Sequence, residues 1–172
     1  MFTSAWIPGE TLERMTGLVR DRSHLDGAII EFGSWEGRST IAIALGTEEP
    51  VLAVDHWRGN PGDEHTEPYA AAEDIYARFL RNTQDYPNII PVRRPIEEFM
   101  SGYSEPIKFL HIDADHNYGP VRDQIEWARP LMVGGGIMCG DDYASTWPGV
   151  VQAVNECLPS HHVERVMWMQ EF

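Results

Sequence analysis

Short β-rich apolar runs alternate along this chain with segments of helical period, and that alternation restricts the fold more than any other feature. Residues 28–32, 51–55, 107–112 and 133–139 are apolar runs of strand length, rich in Val, Ile and Phe. Between them lie stretches with apolar residues on one helical face, such as residues 38–45 and the stripe Val121, Ile125 and Ala128 behind Pro120. A helix between two strands carries the chain back to the same edge, so the strands run parallel. The fold class is therefore α/β, and at 172 residues, against about 150 per domain, the chain is one domain over 1–172.

The remaining elements follow from the same periodicities. Residues 10–22 place Leu12, Met15 and Val19 on one helical face, and Ala72, Ile75, Tyr76, Phe79 and Leu80 mark a second amphipathic helix. Residues 89–92 read as a strand that Pro91 assigns to a sheet edge, residues 96–100 as a brief helix and residues 150–158 as the last helix. Residues 56–68 carry Gly and Pro breakers with no apolar period, a loop placed to close over a site beyond the second strand. The tail after Ser160 is β-prone but offers no Gly, Asn or Asp for a hairpin turn, so any terminal strand pair is expected to be shortened.

Charge excludes whole classes of partner. Thirteen Lys and Arg against 27 Asp and Glu leave a net charge of −14, which repels nucleic acid and anionic membrane surfaces. Neither a basic leader nor an apolar stretch of membrane-spanning length is present, so a soluble cytoplasmic protein is expected. Cys139 and Cys157 are too few for a disulfide framework and read as buried thiols.

In an open parallel sheet, ligands bind beyond the carboxyl ends of the strands. Here the first strand ends in Glu31-Phe32-Gly33-Ser34-Trp35-Glu36-Gly37, the second in Asp55, the fourth in Asp113-Ala114-Asp115-His116, and the fifth in Asp141-Asp142. Gly33 and Gly37 lack the third glycine of the dinucleotide fingerprint, which counts against a nicotinamide dehydrogenase. Glu31 suits a ligand ammonium group and Asp55 suits ribose hydroxyls, and S-adenosylmethionine carries both. Three carboxylates, Asp113, Asp141 and Asp142, converging at neighbouring strand ends would repel one another unless a divalent cation relieves them, and all-oxygen ligation suits Mg²⁺.

Residues 30–40, with Val54-Asp55, resemble the class I methyltransferases that use S-adenosylmethionine. Leu110-His111-Ile112-Asp113-Ala114-Asp115-His116-Asn117-Tyr118 and residues 134–143 resemble the small metal-dependent O-methyltransferases related to macrocin and catechol methyltransferases. The resemblance implies a Rossmann-like, doubly wound, mostly parallel sheet of six or seven strands with helices on both faces. It implies that Asp113, Asp141 and Asp142 are metal ligands, that His116 is a general base, with Asp113 also at the catalytic centre, and that a small hydroxylated molecule is the acceptor. For donor binding it implies Glu31, Gly33, Ser34, Gly37, Ser39, Asp55, His56 and Asp113, with Arg94, Pro95 and Ile96 near adenine. Many relatives with catechol-like substrates carry a lysine where this chain has His116. His111, inside a strand, reads as a satisfied sheet residue, Trp127 as packing, and Trp147 as a wall of the substrate pocket. A metal-independent methyltransferase and a noncatalytic S-adenosylmethionine-binding module stay open as alternatives, as does a homo-oligomer in which a second subunit completes the site.

Overall fold

The computed structural model describes residue 2, residues 6–60 and residues 66–172. Helix α1 (Gly9–Arg20) precedes β1 (Ala28–Phe32), α2 (Arg38–Ala44) and β2 (Val51–Asp55). Two short helices follow, α3 (Glu67–Ala72) and α4 (Ile75–Thr83), then β3 (Ile89–Arg93), α5 (Ile96–Gly102) and β4 (Ile107–Ile112). Helix α6 (Tyr118–Ala128) leads through a 3-10 turn (Arg129–Leu131) into β5 (Met132–Gly140), and α7 (Pro148–Cys157), β6 (His162–Glu164) and β7 (Met167–Glu171) complete the chain.

One seven-stranded sheet runs in the order β3-β2-β1-β4-β5-β7-β6. The first five strands pair in parallel, whereas β7 runs antiparallel to both β5 and β6. Strand order reverses between β1 and β4, and the ends of those two strands form the crevice where an open α/β sheet takes its ligands. Because both faces are covered, successive strand residues enter different cores. Ile29 of β1 packs with Met15, Val19, Ile43 and Phe79 from α1, α2 and α4, while Ile30 and Phe32 pack with Phe99, Val121, Ile125 and Val154 from α5, α6 and α7.

Two expectations are corrected here. The amphipathic stripe from Ala72 to Leu80 is not one helix: Glu73 is extended (φ −140°, ψ 152°), and Asp74 caps a new helix by accepting from the Ala77 amide at 3.0 Å. Ala72 therefore ends α3, and Leu80 is 41% exposed instead of buried. Likewise, residues 67 and 68 of the expected loop begin α3, and residues 61–65 of it lie outside the described residues.

The terminal strand pair is present, with β6 only three residues long and exposed throughout. Glu164 pairs with Met167 across a two-residue turn in which Arg165 takes φ 61°, a left-handed conformation filled here by arginine. Cys139 and Cys157 are free, buried thiols. The chain's single lysine, Lys108, is 1% exposed and donates to the Leu25 carbonyl at 2.8 Å and to Glu49 at 2.7 Å. No helix among the described residues is long and apolar enough to cross a membrane.

Candidate functional site

The site is built on the turn that leaves β1. Gly33 has φ +85°, and a Cβ there would strike the Asp113 carbonyl and come within 2.7 Å of the Ala114 Cα, so only glycine lets this turn pass the end of β4. Gly37, at φ 89°, starts α2. Between them Trp35 takes φ 44°, and at the end of β2 Trp57 takes φ 55°. Non-glycine residues reach this region at a cost of about 1–3 kcal/mol each, so something must hold them.

That hold is Asp55. Its Oδ2 accepts from the Trp35 amide at 2.9 Å and its Oδ1 from the Trp57 amide at 2.6 Å, while the Trp57 indole donates to the Trp35 carbonyl at 2.7 Å. Burial pushes the Asp55 carboxyl above its ordinary range, against the pull of those two amides and of His56. A residue expected to meet ribose hydroxyls thus already braces two loops, and keeps only its remaining lone pairs for a ligand.

Beside this turn lies a cavity of about 450 Å³ walled by the ends of β1, β2, β4 and β5. Gly33, Ser34, Ser39, Asp55, His56, Asp113, His116, Asp141 and Asp142 all line it, as does Trp147. Four other expected residues do not. Glu31 is fully buried on the α2 side of β1, where the Thr40 hydroxyl donates to it and His111 Nδ1 lies 3.4 Å away. Gly37 faces Phe79 and Thr83, and Arg94 and Pro95 fall short of the wall that Ile96 and Glu97 form instead. Trp57 is a core residue packed on Tyr76 and Phe79 at ring distances of 4.7 and 4.8 Å, and Trp127 is likewise packing.

The acidic centre gathers where β4 and β5 end. One ligand atom each from Asp113, His116 and Asp142 lies within 4.8 Å of the others. His116 Nε2 sits 2.7 Å from Asp142 Oδ2, and its ring lies 4.1 Å from that of Trp147. Asp142 is held left-handed at φ 62°. Asp141 lines the same cavity but stands outside this close group of three. Burial, with the repulsion of Asp141 and Asp142 adding to it, pushes the Asp113 carboxyl up to about 7 against the opposing pull of His111 and His116. Burial and Asp142 likewise raise Asp141. Carboxyls this reluctant to ionise together are a fit for a divalent cation.

His111 departs from expectation. Neither of its ring nitrogens makes a hydrogen bond, although Glu31 stands close by. Burial opposes its protonation, but Glu31, Asp113 and Asp141 outweigh that and raise its pKa.

Ser34 Oγ, Arg38 Nη1, Gln124 Oε1 and Asp141 Oδ1 are all buried without a hydrogen-bond partner, and all four residues line the cavity. Buried polar atoms are almost always satisfied, so this wall is shaped for a polar ligand. Arg38 and Gln124 were not anticipated. A signal existed for Arg38, because a cation in the first turn of a helix opposes the helix dipole and needs another reason to be there. None existed for Gln124.

A mostly parallel seven-stranded sheet with an antiparallel terminal pair, a glycine turn after β1 and acidic strand ends on one cavity together define a Rossmann-like methyltransferase fold. The chain belongs to the methyltransferase-domain family, whose model matches residues 30–143. Solved structures share the fold. The O-methyltransferase NovP has 18% identity and a TM-score of 0.78, the match covering 94% of this chain and 79% of that one. The calicheamicin methyltransferase CalS11 has 19% identity and a TM-score of 0.76, covering 95% and 79%. An O-methyltransferase from Bacillus cereus, solved in complex with SAH, has 17% identity and a TM-score of 0.67, covering 95% and 80%. No curated protein matches the chain.

Proposed function

We propose that this protein transfers the methyl group of S-adenosylmethionine to a hydroxyl oxygen of a small molecule with adjacent oxygen groups, assisted by a divalent cation, Mg²⁺ by its oxygen donors. The observation that carries this reading is the meeting of Asp113, His116 and Asp142 within 4.8 Å on the wall of the cavity that the Gly33-Ser34 turn also lines. Support for an oxygen acceptor comes from the neighbours: NovP is described as an O-methyltransferase and CalS11 as a TDP-rhamnose 3'-O-methyltransferase. Support for the donor comes from the Bacillus cereus enzyme, solved with SAH.

The residues divide the work between donor and acceptor. Ser34, Ser39 and the Gly33 turn bind and orient the donor, with Asp55 fixing the shape of that turn. Ile96 and Glu97 flank the adenine end in place of Arg94 and Pro95. Asp113 and Asp142, with Asp141 beside them, hold the cation, which supplies Lewis-acid stabilisation of the developing alkoxide. His116 takes the acceptor's proton on its imidazole, with the Asp142 carboxylate orienting the ring at 2.7 Å. Trp147 fixes the other side of that ring and walls the acceptor. The Asn60 side-chain amide donates to the Ala114 carbonyl at 2.6 Å, tying the chain after β2 to the end of β4 beside the site.

Calorimetric titration with S-adenosylhomocysteine, with and without Mg²⁺, tests the reading directly. Saturable binding is expected, together with Mg²⁺ binding that Asp142→Asn abolishes. Absence of any adenosyl-ligand binding overturns the donor assignment, and Mg²⁺ binding that survives in Asp142→Asn overturns the cation site.

A further inference from the structure

His116 stands closer to the carboxylates than receiving the acceptor's proton requires. One ligand atom of its ring lies within 4.8 Å of an oxygen from Asp113 and of one from Asp142, and those two oxygens lie as close to each other. Among the described residues, no other three side chains of ligating type come together in this way. Two donors on one tetrahedral ion with bonds of about 2 Å stand about 3.3 Å apart. The 2.7 Å between His116 Nε2 and Asp142 Oδ2 and the 4.8 Å limit of the group bracket that separation.

The surroundings hold the ring in that place. The Trp147 ring lies against it with centroids 4.1 Å apart. Helix α7 packs on the backbone of the same loop so closely that a Cβ at Gly149 would come within 2.6 Å of the His116 carbonyl oxygen and 2.5 Å of the Tyr118 nitrogen. Asp115 is turned to Asn117 instead, accepting from its backbone amide at 2.7 Å and from its side-chain amide at 2.8 Å. An independent sign of a ligand stands beside the group: Asp141 Oδ1, on the same cavity wall, is buried without a hydrogen-bond partner. Buried polar atoms are almost always satisfied, so this oxygen marks a place where something else binds.

An imidazole nitrogen among carboxylate oxygens changes which ion the group prefers. Mg²⁺ takes oxygen donors in near-octahedral geometry and keeps several waters. Zn²⁺ accepts four ligands of mixed nitrogen and oxygen, and imidazole is a ligand that suits it. We infer that the ion sets the role of His116: Mg²⁺ is held by the carboxylates and leaves the ring to the acceptor's proton, whereas Zn²⁺ takes the ring as a ligand beside Asp113 and Asp142. The neutral ring then carries its one proton on Nδ1 and presents the lone pair of Nε2 to the ion. Because the two ions share carboxylates, zinc displaces Mg²⁺. The functional consequence rests on the methyl-transfer reading: zinc occupies the group that must receive the proton, so it inhibits the enzyme that Mg²⁺ assists.

Calorimetric titration of Zn²⁺ and of Mg²⁺ into metal-free protein, wild type and His116→Gln, tests the assignment without an acceptor. Zinc is expected to bind wild type more tightly than Mg²⁺ and to lose at least about tenfold in His116→Gln, while Mg²⁺ changes by less than about twofold. Saturating Mg²⁺ is expected to weaken zinc competitively. Equal loss for both ions, loss for neither, or zinc binding that Mg²⁺ does not oppose overturns the inference. A second measurement does not depend on the folding of the variant. Co²⁺ bound to wild-type protein in place of zinc is expected to shift an exchangeable imidazole N–H proton far outside the ordinary proton NMR range, as a ligating histidine does. No such signal in wild type, or its survival in His116→Gln, also overturns the inference. Failure of the methyl-transfer reading shows itself separately, as wild-type protein that binds no S-adenosylhomocysteine while zinc still takes His116.

Discussion

The indole N–H of Trp57 donates to the backbone carbonyl of Trp35 at 2.7 Å, joining the loop after β2 to the turn after β1. Both residues are left-handed, and both amides end on the same carboxylate, that of Asp55. The donor side of the cavity is thus held by three hydrogen bonds that close on one another and would be lost together.

Trp57→Phe keeps an aromatic ring packed against Phe79 and removes the indole donor. The expected cost is about 1 kcal/mol of stability, read as a lower denaturant midpoint at unchanged slope, together with weaker S-adenosylhomocysteine binding. A stability loss with intact affinity would show that the bond serves the fold and not the pocket.

Gly33→Ala should be far more damaging than its size suggests. The added carbon has no room beside Asp113 and Ala114, and the backbone there is left-handed. Relief requires β1 and β4 to part at their ends, so a loss of at least about 3 kcal/mol is expected, with donor binding abolished in whatever folds. Thermal unfolding of this variant beside Gly9→Ala, where a Cβ meets nothing within 4 Å, supplies the comparison.

His116→Gln retains a polar side chain of similar reach but cannot accept a proton at neutral pH. The expected fall in kcat is about 10²- to 10⁴-fold, with acceptor KM changing far less. Rapid-quench measurement of methyl transfer checks this, and partial rescue at high pH, where the acceptor ionises unaided, distinguishes a lost base from a lost shape.

Protonation and metal binding should each stabilise the folded protein, and in doing so compete with each other. Asp113 holds its proton up to about 7 in the folded protein but only to about 4 when unfolded, so the folded state binds more protons in between. Its contribution is therefore fully present below the unfolded value and is lost as pH rises toward 7. Metal-free protein is expected to melt at progressively lower temperature across that window, and added Mg²⁺ to stabilise more at pH 8 than at pH 6, because proton and cation compete for one carboxyl. Asp142→Asn removes a repelling neighbour and should move the window to lower pH. Melting curves at several pH values, with Mg²⁺ and with chelator, measure all three effects.

Much of this architecture was legible in the sequence because strands buried on both faces leave an unmistakable pattern. Residues 28–32, 51–55 and 107–112 are each preceded by Gly or Pro and match the observed strands residue for residue. The chemistry at the strand ends was legible too: Gly33, Ser34, Asp113, His116 and Asp142 sit one to four residues past β1, β4 or β5, at the carboxyl ends that wall the crevice. Glu31 misled because it lies inside β1, and alternation with Ile30 and Phe32 sends it toward α2 instead of the ligand. The break at Glu73 and the turn at Arg165 were invisible because neither residue type signals the conformation it adopts. Asp55 looked like a ligand residue, and its two amide partners come from loops whose approach only the folded chain fixes.

Lys108 lies inside the sheet with its ammonium spent on Leu25 and Glu49, and the chain has no other lysine. Amine-directed reagents therefore meet no reactive side chain while the molecule stays folded, and opening the sheet uncovers a single one. Acylation of that residue, located by peptide mass and so distinguished from the terminal amine, becomes a built-in clock for global unfolding.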